Sequence, residues 1–208
     1  MCGIIGITGR GDAVDEIIAG LTRLEYRGYD SAGVVVNHDD RLRIVKRAGK
    51  LANLTSALDS EPVKGSVGIG HTRWATHGAP NDRNAHPHAD PSGRVAVVHN
   101  GIIENYGKLK AELGDTSYAS DTDTEVVAHL CAAELEGMDQ PDLLEAVRRT
   151  VNRLEGAFAL CFMCTDDPGT IVAAKREAPL LVTHQDGVGY CASDAAALIA
   201  HSSRMTAL

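Results

Sequence analysis

No run of apolar residues in this chain approaches the roughly 20 that a membrane-spanning helix needs. The N-terminus, Met1-Cys2-Gly3-Ile4-Ile5-Gly6, is apolar but lacks the basic start and long apolar stretch of a secretory signal. Both absences point to the cytoplasm. An excess of basic residues is missing too: 20 Lys and Arg face 28 Asp and Glu, a formal charge of -8. Nucleic acid and anionic membranes are therefore not expected as partners, since either needs clustered positive charge. No repeat, low-complexity tract or Pro/Gly/Ser-rich linker divides the chain. Its five cysteines are odd in number and widely spaced, which argues against a disulfide framework. What remains is an ordinary globular composition, 44% hydrophobic and 23% charged, in 208 residues, enough to bury a core without staples.

The elements are short and alternate in type. Gly3 to Thr8 reads as a strand. Asp12 is placed to cap a helix whose Val14, Ile17, Ile18, Leu21 and Leu24 share one stripe, with Gly28 as its C-terminal stop. Val34-Val35-Val36 and Leu42 to Val45 flank His38-Asp39-Asp40 as a hairpin, and a short helix follows around residues 51–58. Val67 to Ile69 and Arg94 to His99 read as strands. Thr122-Asp123-Thr124-Glu125 has the form of a capping box opening a helix to about Leu135. Pro141 suits the first turn of another helix, with Leu144, Val147, Val151 and Leu154 on one face. Four strand-like runs follow, around 157–163, 170–174, 180–183 and 189–192. Turn signals rather than helices separate them, which predicts antiparallel pairing. Helices mixed with antiparallel strands give an α+β class.

Several polar segments carry candidate chemistry. Cys2 by itself reads as a small apolar residue opening a strand. Methionine before a small residue is commonly removed, however. Cys2 would then hold a thiol and an α-amine that titrates at about 7.7–8.0, a general base beside a nucleophile. The amine is too cramped to take the thiol proton directly, so a bridging water is expected. Arg73, in Gly70 to Gly78 with the sole Trp, offers a planar fork for a carboxylate, and Asp123 a partner for an ammonium; singly, both read as surface charges. Asn100-Gly101 supplies a side-chain amide and a backbone N–H suited to a tetrahedral oxyanion, although Asn-Gly is also a common tight turn. His86 and His88 lack nearby acidic or thiol residues at ligand spacing, which argues against a metal. Cys161 and Cys164 sit three apart in a strand, facing opposite sides, so burial is expected rather than metal or redox chemistry.

Together these segments resemble a family. Cys2-Gly3-Ile4-Ile5-Gly6 resembles the start of the N-terminal-nucleophile class of glutamine amidotransferases. Arg23 to Gly33, His71 to Gly78, Asn84 to His88, His99 to Asn105 and Ser120 to Val126 narrow the resemblance. They are similar to the glutaminase domains of the glutamine–fructose-6-phosphate aminotransferase family; Glu155 to Leu160 and Ala192-Ser193-Asp194 also fit. The resemblance implies a four-layer αββα sandwich of two antiparallel sheets, occupying 1–208. It implies Cys2 as nucleophile, its own α-amine as base, and Asn100 with Gly101 as the oxyanion hole. Arg73 and Asp123 would hold the α-groups of L-glutamine, helped by Thr76, His77 and His86. Trp74 would belong to a loop closing over glutamine, and Arg27 would order the site. No metal or organic cofactor is implied. The family's enzymes continue into a larger sugar-phosphate isomerase domain, which this sequence lacks. Only the glutamine half-reaction is expected here, and the C-terminal edge of the sheet is expected to be short. A glutamine-binding module without turnover, or the glutaminase half of a related amidotransferase, stands as the alternative.

Overall fold

The computed structural model describes residues 2–9, 11–74 and 78–208. Its elements, in chain order, begin β1 (Gly3–Thr8), α1 (Ala13–Leu24), β2 (Ser31–His38), β3 (Arg41–Ala48), α2 (Leu51–Ser60) and β4 (Val67–Arg73). There follow β5 (His88–Ala89), β6 (Val95–Gly101), α3 (Tyr106–Leu113), α4 (Glu125–Glu136) and α5 (Leu143–Arg153). The chain ends with β7 (Phe158–Cys164), β8 (Val172–Arg176), β9 (Leu181–Gln185), β10 (Val188–Ala192), α6 (Ala195–Leu198) and β11 (Thr206–Ala207). One sheet has the order β11-β9-β10-β1-β4-β2-β3 and the other β5-β6-β7-β8. Every pairing of named strands is antiparallel.

The period of two along each strand sorts the side chains into layers. In β1, Ile5 and Ile7 pack under α1 while Ile4 faces the other sheet; in β2, Val34 and Val36 face the helices and Val35 the partner sheet. The second sheet does the same in mirror order. Val95, Val97, Phe158, Leu160 and Phe162 pack against α3, α4 and α5, whereas Ala96, Val98, Ala159, Cys161 and Met163 fill the space between sheets. Three buried cores between four layers result, the αββα sandwich expected. Cys161 and Cys164 lie in different cores, and all five cysteines are free. Among the described residues no helix is long and apolar enough to cross a membrane.

Several local expectations need correction. α1 ends at Leu24 and one turn of tighter helix (Glu25–Arg27) intervenes before Gly28, whose φ of -171° is extended rather than left-handed. Glycine is required there for another reason: a Cβ would lie 2.6 Å from the Arg73 carbonyl carbon. The capping box at Thr122 does not form. α4 starts at Glu125, capped by Thr124 without a side-chain bond, because the Glu125 carboxylate is engaged by Ala119 and Ser120. Pro141 precedes the cap Asp142, and α5 buries Leu143, Ala146, Val147 and Thr150. Val147, Val151 and Leu154 of the expected face do pack into the core, but Leu144 is 67% exposed and Leu143 takes its place. The four late strands divide between the sheets, β7 and β8 in one, β9 and β10 in the other. α3, β5, α6 and the two-residue edge strand β11 were not expected from the sequence.

Candidate active site

The two sheets bring three strand ends together at one end of the sandwich. β1 is a central strand, pairing with β4 on one side and β10 on the other. Cys2 therefore leaves the sheet beside Trp74, which follows β4. From the opposite sheet β6 ends in Asn100 and Gly101. The Cys2 Sγ accepts a hydrogen bond from the Trp74 N–H at 3.2 Å. The Cys2 carbonyl accepts two more, from Arg27 Nε and Asn100 Nδ2, each at 3.1 Å. The thiol-bearing residue is thus fixed by groups from both sheets.

Burial raises the Cys2 pKa above that of an ordinary thiol; the Trp74 bond and the positive charges of the N-terminus, Arg73 and Arg27 offset only part of this. At neutral pH the sulfur is a thiol, and its use as a nucleophile requires a base.

Cys2, Arg73, Trp74, His86, Gly101 and Asp123 line one cleft, together with His99 and the Thr122 and Thr124 side of the wall. Its free volume of about 20 Å³ is water-sized. Arg27 and Asn100 line an adjoining apolar cavity of about 340 Å³ that shares Cys2, Trp74 and Gly101 with the first. Eight of the ten residues singled out from the sequence, Cys2 among them, therefore line these two adjoining cavities. The other two, Thr76 and His77, lie outside the described residues.

Each side chain is held by its own partners. The Arg73 guanidinium reaches the carbonyls of Gly78 and Ala79, both at 3.4 Å, and burial lowers its pKa while Cys2, Asp123 and Asp30 counter. Asp123 lies two residues ahead of α4, and its Oδ2 accepts the Ile103 N–H at 2.8 Å. Gly101 has φ of 125°, and a Cβ there would run into the Ala157 carbonyl and lie 2.9 Å from Phe158 Cα. Only glycine lets β6 turn its backbone toward the cleft. Trp74 is 45% exposed and meets the edge of Tyr29 at 5.6 Å between ring centroids.

Beneath the cleft lies a cluster of buried histidines not anticipated from sequence. His71 stacks on His86 at 4.3 Å between centroids, and His88 meets His86 edge-on at 4.6 Å. Burial lowers all three pKa values, to about 3 for His71, so the rings are neutral at physiological pH. The loop carrying His86 is clamped by Lys46 Nζ, which donates to the carbonyls of Arg83, Ala85 and Pro87 at 3.3, 2.8 and 3.1 Å. Asp194 is the other residue the sequence did not assign. Its Oδ2 accepts from Arg27 Nη1 at 2.6 Å and from Tyr26 Oη at 2.8 Å, orienting the guanidinium that holds the Cys2 carbonyl. Its neighbour Ser193 accepts the Ile4 N–H at 2.9 Å, so the Ala192-Ser193-Asp194 segment fastens β1 just behind Cys2.

Glu125 braces the far wall. Burial raises the pKa of its carboxyl, but the His129 ring, with Nε2 3.6 Å from Oε1, and hydrogen bonds from Ser120 and two backbone N–H groups outweigh this and hold it at about 2. A folded value below the unfolded ~4.3 means that this carboxylate stabilises the fold above the unfolded pKa. The contribution is lost as pH falls through about 2. Glu125→Gln is expected to cost about 2 kcal/mol at pH 7, lowering the unfolding midpoint by roughly 4–8 °C. The gap to the parent protein should close on acidification from about pH 4 to pH 2; thermal melts across that range check it.

Comparison with known proteins places the chain. The family described as "Glutamine amidotransferase domain" matches residues 71–200. A glutamine–fructose-6-phosphate aminotransferase (isomerizing) of Streptomyces coelicolor is 55% identical over 205 residues, covering 97% of this chain and 33% of that protein. One from Mycolicibacterium smegmatis is 50% identical over 212 residues, covering 97% and 34%. The chain thus spans about a third of the length of the curated relatives it matches. Among solved structures, glutamine phosphoribosylpyrophosphate amidotransferase from B. subtilis superposes with a TM-score of 0.80 at 25% identity, over 100% of this chain and 49% of that one.

Proposed function

This chain belongs to the glutamine amidotransferase domain family, and from that premise we propose that it hydrolyses the side-chain amide of L-glutamine through a γ-glutamyl thioester on Cys2. The observation that carries this reading is the convergence on one thiol of an anion-binding fork, a carboxylate and two oxyanion donors, drawn from both sheets.

Removal of Met1 frees the Cys2 α-amine, which takes the thiol proton through a water. The Cys2 sulfur attacks the amide carbon, and the oxyanion that forms is met by Asn100 Nδ2 and the Gly101 N–H. As the intermediate collapses, the C–N bond breaks and the nitrogen leaves as ammonia, carrying the proton returned by the amine. Water then cleaves the thioester to glutamate and restores the thiol. Arg73 pairs the substrate α-carboxylate and Asp123 its α-ammonium. Thr76, His77 and His86 complete the pocket, and Trp74 closes its mouth. Arg27 orders the Cys2 carbonyl. The water-sized cleft must widen to admit glutamine.

The relatives' name supplies the wider setting. We propose that the ammonia serves fructose-6-phosphate in a sugar-phosphate isomerase domain lying beyond these residues, which this domain feeds and does not itself contain.

The test is an intact mass before and after exposure to an electrophilic glutamine analogue. A chain lighter by one methionine that gains one adduct on Cys2 is expected. A processed chain that stays unreactive would replace hydrolysis by the glutamine-binding module without turnover. The pH profile provides a second check. The base works unprotonated, so kcat/KM is expected to fall about tenfold per unit as pH drops below the amine pKa of about 7.7–8.0. A flat profile between pH 6 and 9 would remove the α-amine from the mechanism.

A further inference from the structure

An asparagine amide is nearly symmetric in shape but opposite in polarity at its two ends. Asn100 is useful to an oxyanion only if Nδ2 faces it; with Oδ1 there the site would repel the charge that develops. Something must choose between the two orientations. Two contacts make the choice: Asn100 Nδ2 donates to the Cys2 carbonyl at 3.1 Å, and on the far side of the amide Asn100 Oδ1 lies 3.0 Å from His71 Nε2. The same ring nitrogen lies 2.9 Å from the His99 carbonyl oxygen. Both neighbours are acceptors, so Nε2 must carry the proton and donate to them. A ring protonated on Nδ1 instead would set a lone pair against two oxygens.

The surroundings enforce this tautomer. His71 is fully buried, and its Nδ1 has no hydrogen-bond partner among the described residues, so nothing there competes for the proton. Burial keeps the ring neutral, with one proton to place. The ring plane is fixed by the stack on His86, whose planes differ by 16°. His86 is held in turn, since its Nδ1 accepts the His99 N–H at 3.2 Å. His71 sits on β4 and Asn100 on β6, so the bond crosses between the two sheets and ties the oxyanion donor to the scaffold of the nucleophile.

We propose that His71 is a positioning residue that fixes the orientation of the Asn100 amide, turning Nδ2 toward the reacting carbonyl. This rests on the reading of Asn100 as an oxyanion donor. His71 itself touches no substrate; it acts by holding Oδ1.

Five proteins test the assignment in steady-state ammonia release: the parent, His71→Leu, His71→Gln, Asn100→Ala and the double variant His71→Leu/Asn100→Ala. His71→Leu is expected to lower kcat by about 10- to 100-fold with KM changed less than about threefold, because ground-state binding does not use the oxyanion donor. The Gln side-chain amide can donate to the same oxygen, and His71→Gln is expected to recover at least about tenfold of the loss. In the Asn100→Ala background, His71→Leu should cost almost nothing more, since there is no amide left to orient. Multiplying losses, or a Gln variant no better than Leu, would overturn the role. Nitrogen NMR of the parent protein reads the tautomer without any turnover. A neutral ring protonated on Nε2 from pH 5 to 9 supports the proposal, and protonation on Nδ1 overturns it even if every Leu variant fails to fold. Should the parent release no ammonia while the Nε2–H tautomer is present, the hydrolytic reading fails and this role for His71 with it, although the bond itself stands.

Discussion

Replacing Cys2 by alanine is expected to abolish ammonia release, by at least about 10⁴-fold, the scale seen when a lone nucleophile is removed. The fold should hardly notice. Cys2 is only half-buried, and its sulfur makes two weak bonds, both to the Trp74 backbone: it accepts from the N–H at 3.2 Å and donates to the carbonyl at 3.6 Å. The bonds that fix the residue run to its carbonyl, from Arg27 and Asn100, and alanine keeps both. The unfolding midpoint should therefore stay within a few degrees of the parent. Glutamine binding should persist as well, since the charges assigned to the α-groups sit on Arg73 and Asp123. Calorimetry with glutamine, alongside an ammonia assay, separates the outcomes. Binding without release supports a thioester on Cys2. Undiminished release would remove Cys2 from the chemistry altogether, whatever the family relationship.

Much of this site was legible in the chain because its parts are local. Cys2-Gly3, Asn100-Gly101 and Arg73-Trp74 each occupy adjacent positions where a strand ends, and a strand end is visible as apolar alternation giving way to polar residues. The layers were less legible. Whether Val35 or Val36 faces the helices depends on register, which a run of three valines does not reveal; the pairing Val35↔Ile69 and the burial of Ile69 between the sheets decide it. On α5 one position, Leu144, was misplaced for a related reason. Leu143 and Leu144 are adjacent and chemically alike, and only packing against α4 and the second sheet distinguishes them.

The supporting residues were hidden for a different reason. Asp194 comes 167 positions after the Arg27 it pairs with, and the His71–Asn100 bond spans 29 positions across two sheets. Neither spacing has a local signature. The Glu125 carboxylate was misread because a Thr-x-x-Glu string describes a cap only when the helix starts at the threonine. Here the chain takes a tight turn through Ser120 to Thr124 first, and the carboxylate serves that turn.

Asn100→Ala is expected to lower kcat by about 10²–10³, equivalent to about 2.7–4 kcal/mol of transition-state stabilisation, with little change in KM. The case depends on what alanine leaves intact. Alanine removes the Asn100 bond to the Cys2 carbonyl, but Arg27 Nε still holds that carbonyl at 3.1 Å and the Trp74 N–H still meets the sulfur, so the nucleophile keeps its place. Gly101, the other proposed donor, remains through its backbone. By contrast, Gly101→Ala cannot isolate the same effect. Its φ of 125° and the crowding by Ala157 and Phe158 would disturb the β6–β7 ladder before any chemistry was probed. Asn100 is therefore the clean probe of oxyanion stabilisation. Steady-state kinetics distinguish the readings. A fall in kcat alone places the amide against charge that develops only in the transition state. A rise in KM with kcat unchanged would make Asn100 a contact to bound glutamine, and the oxyanion would then rest on the Gly101 N–H alone.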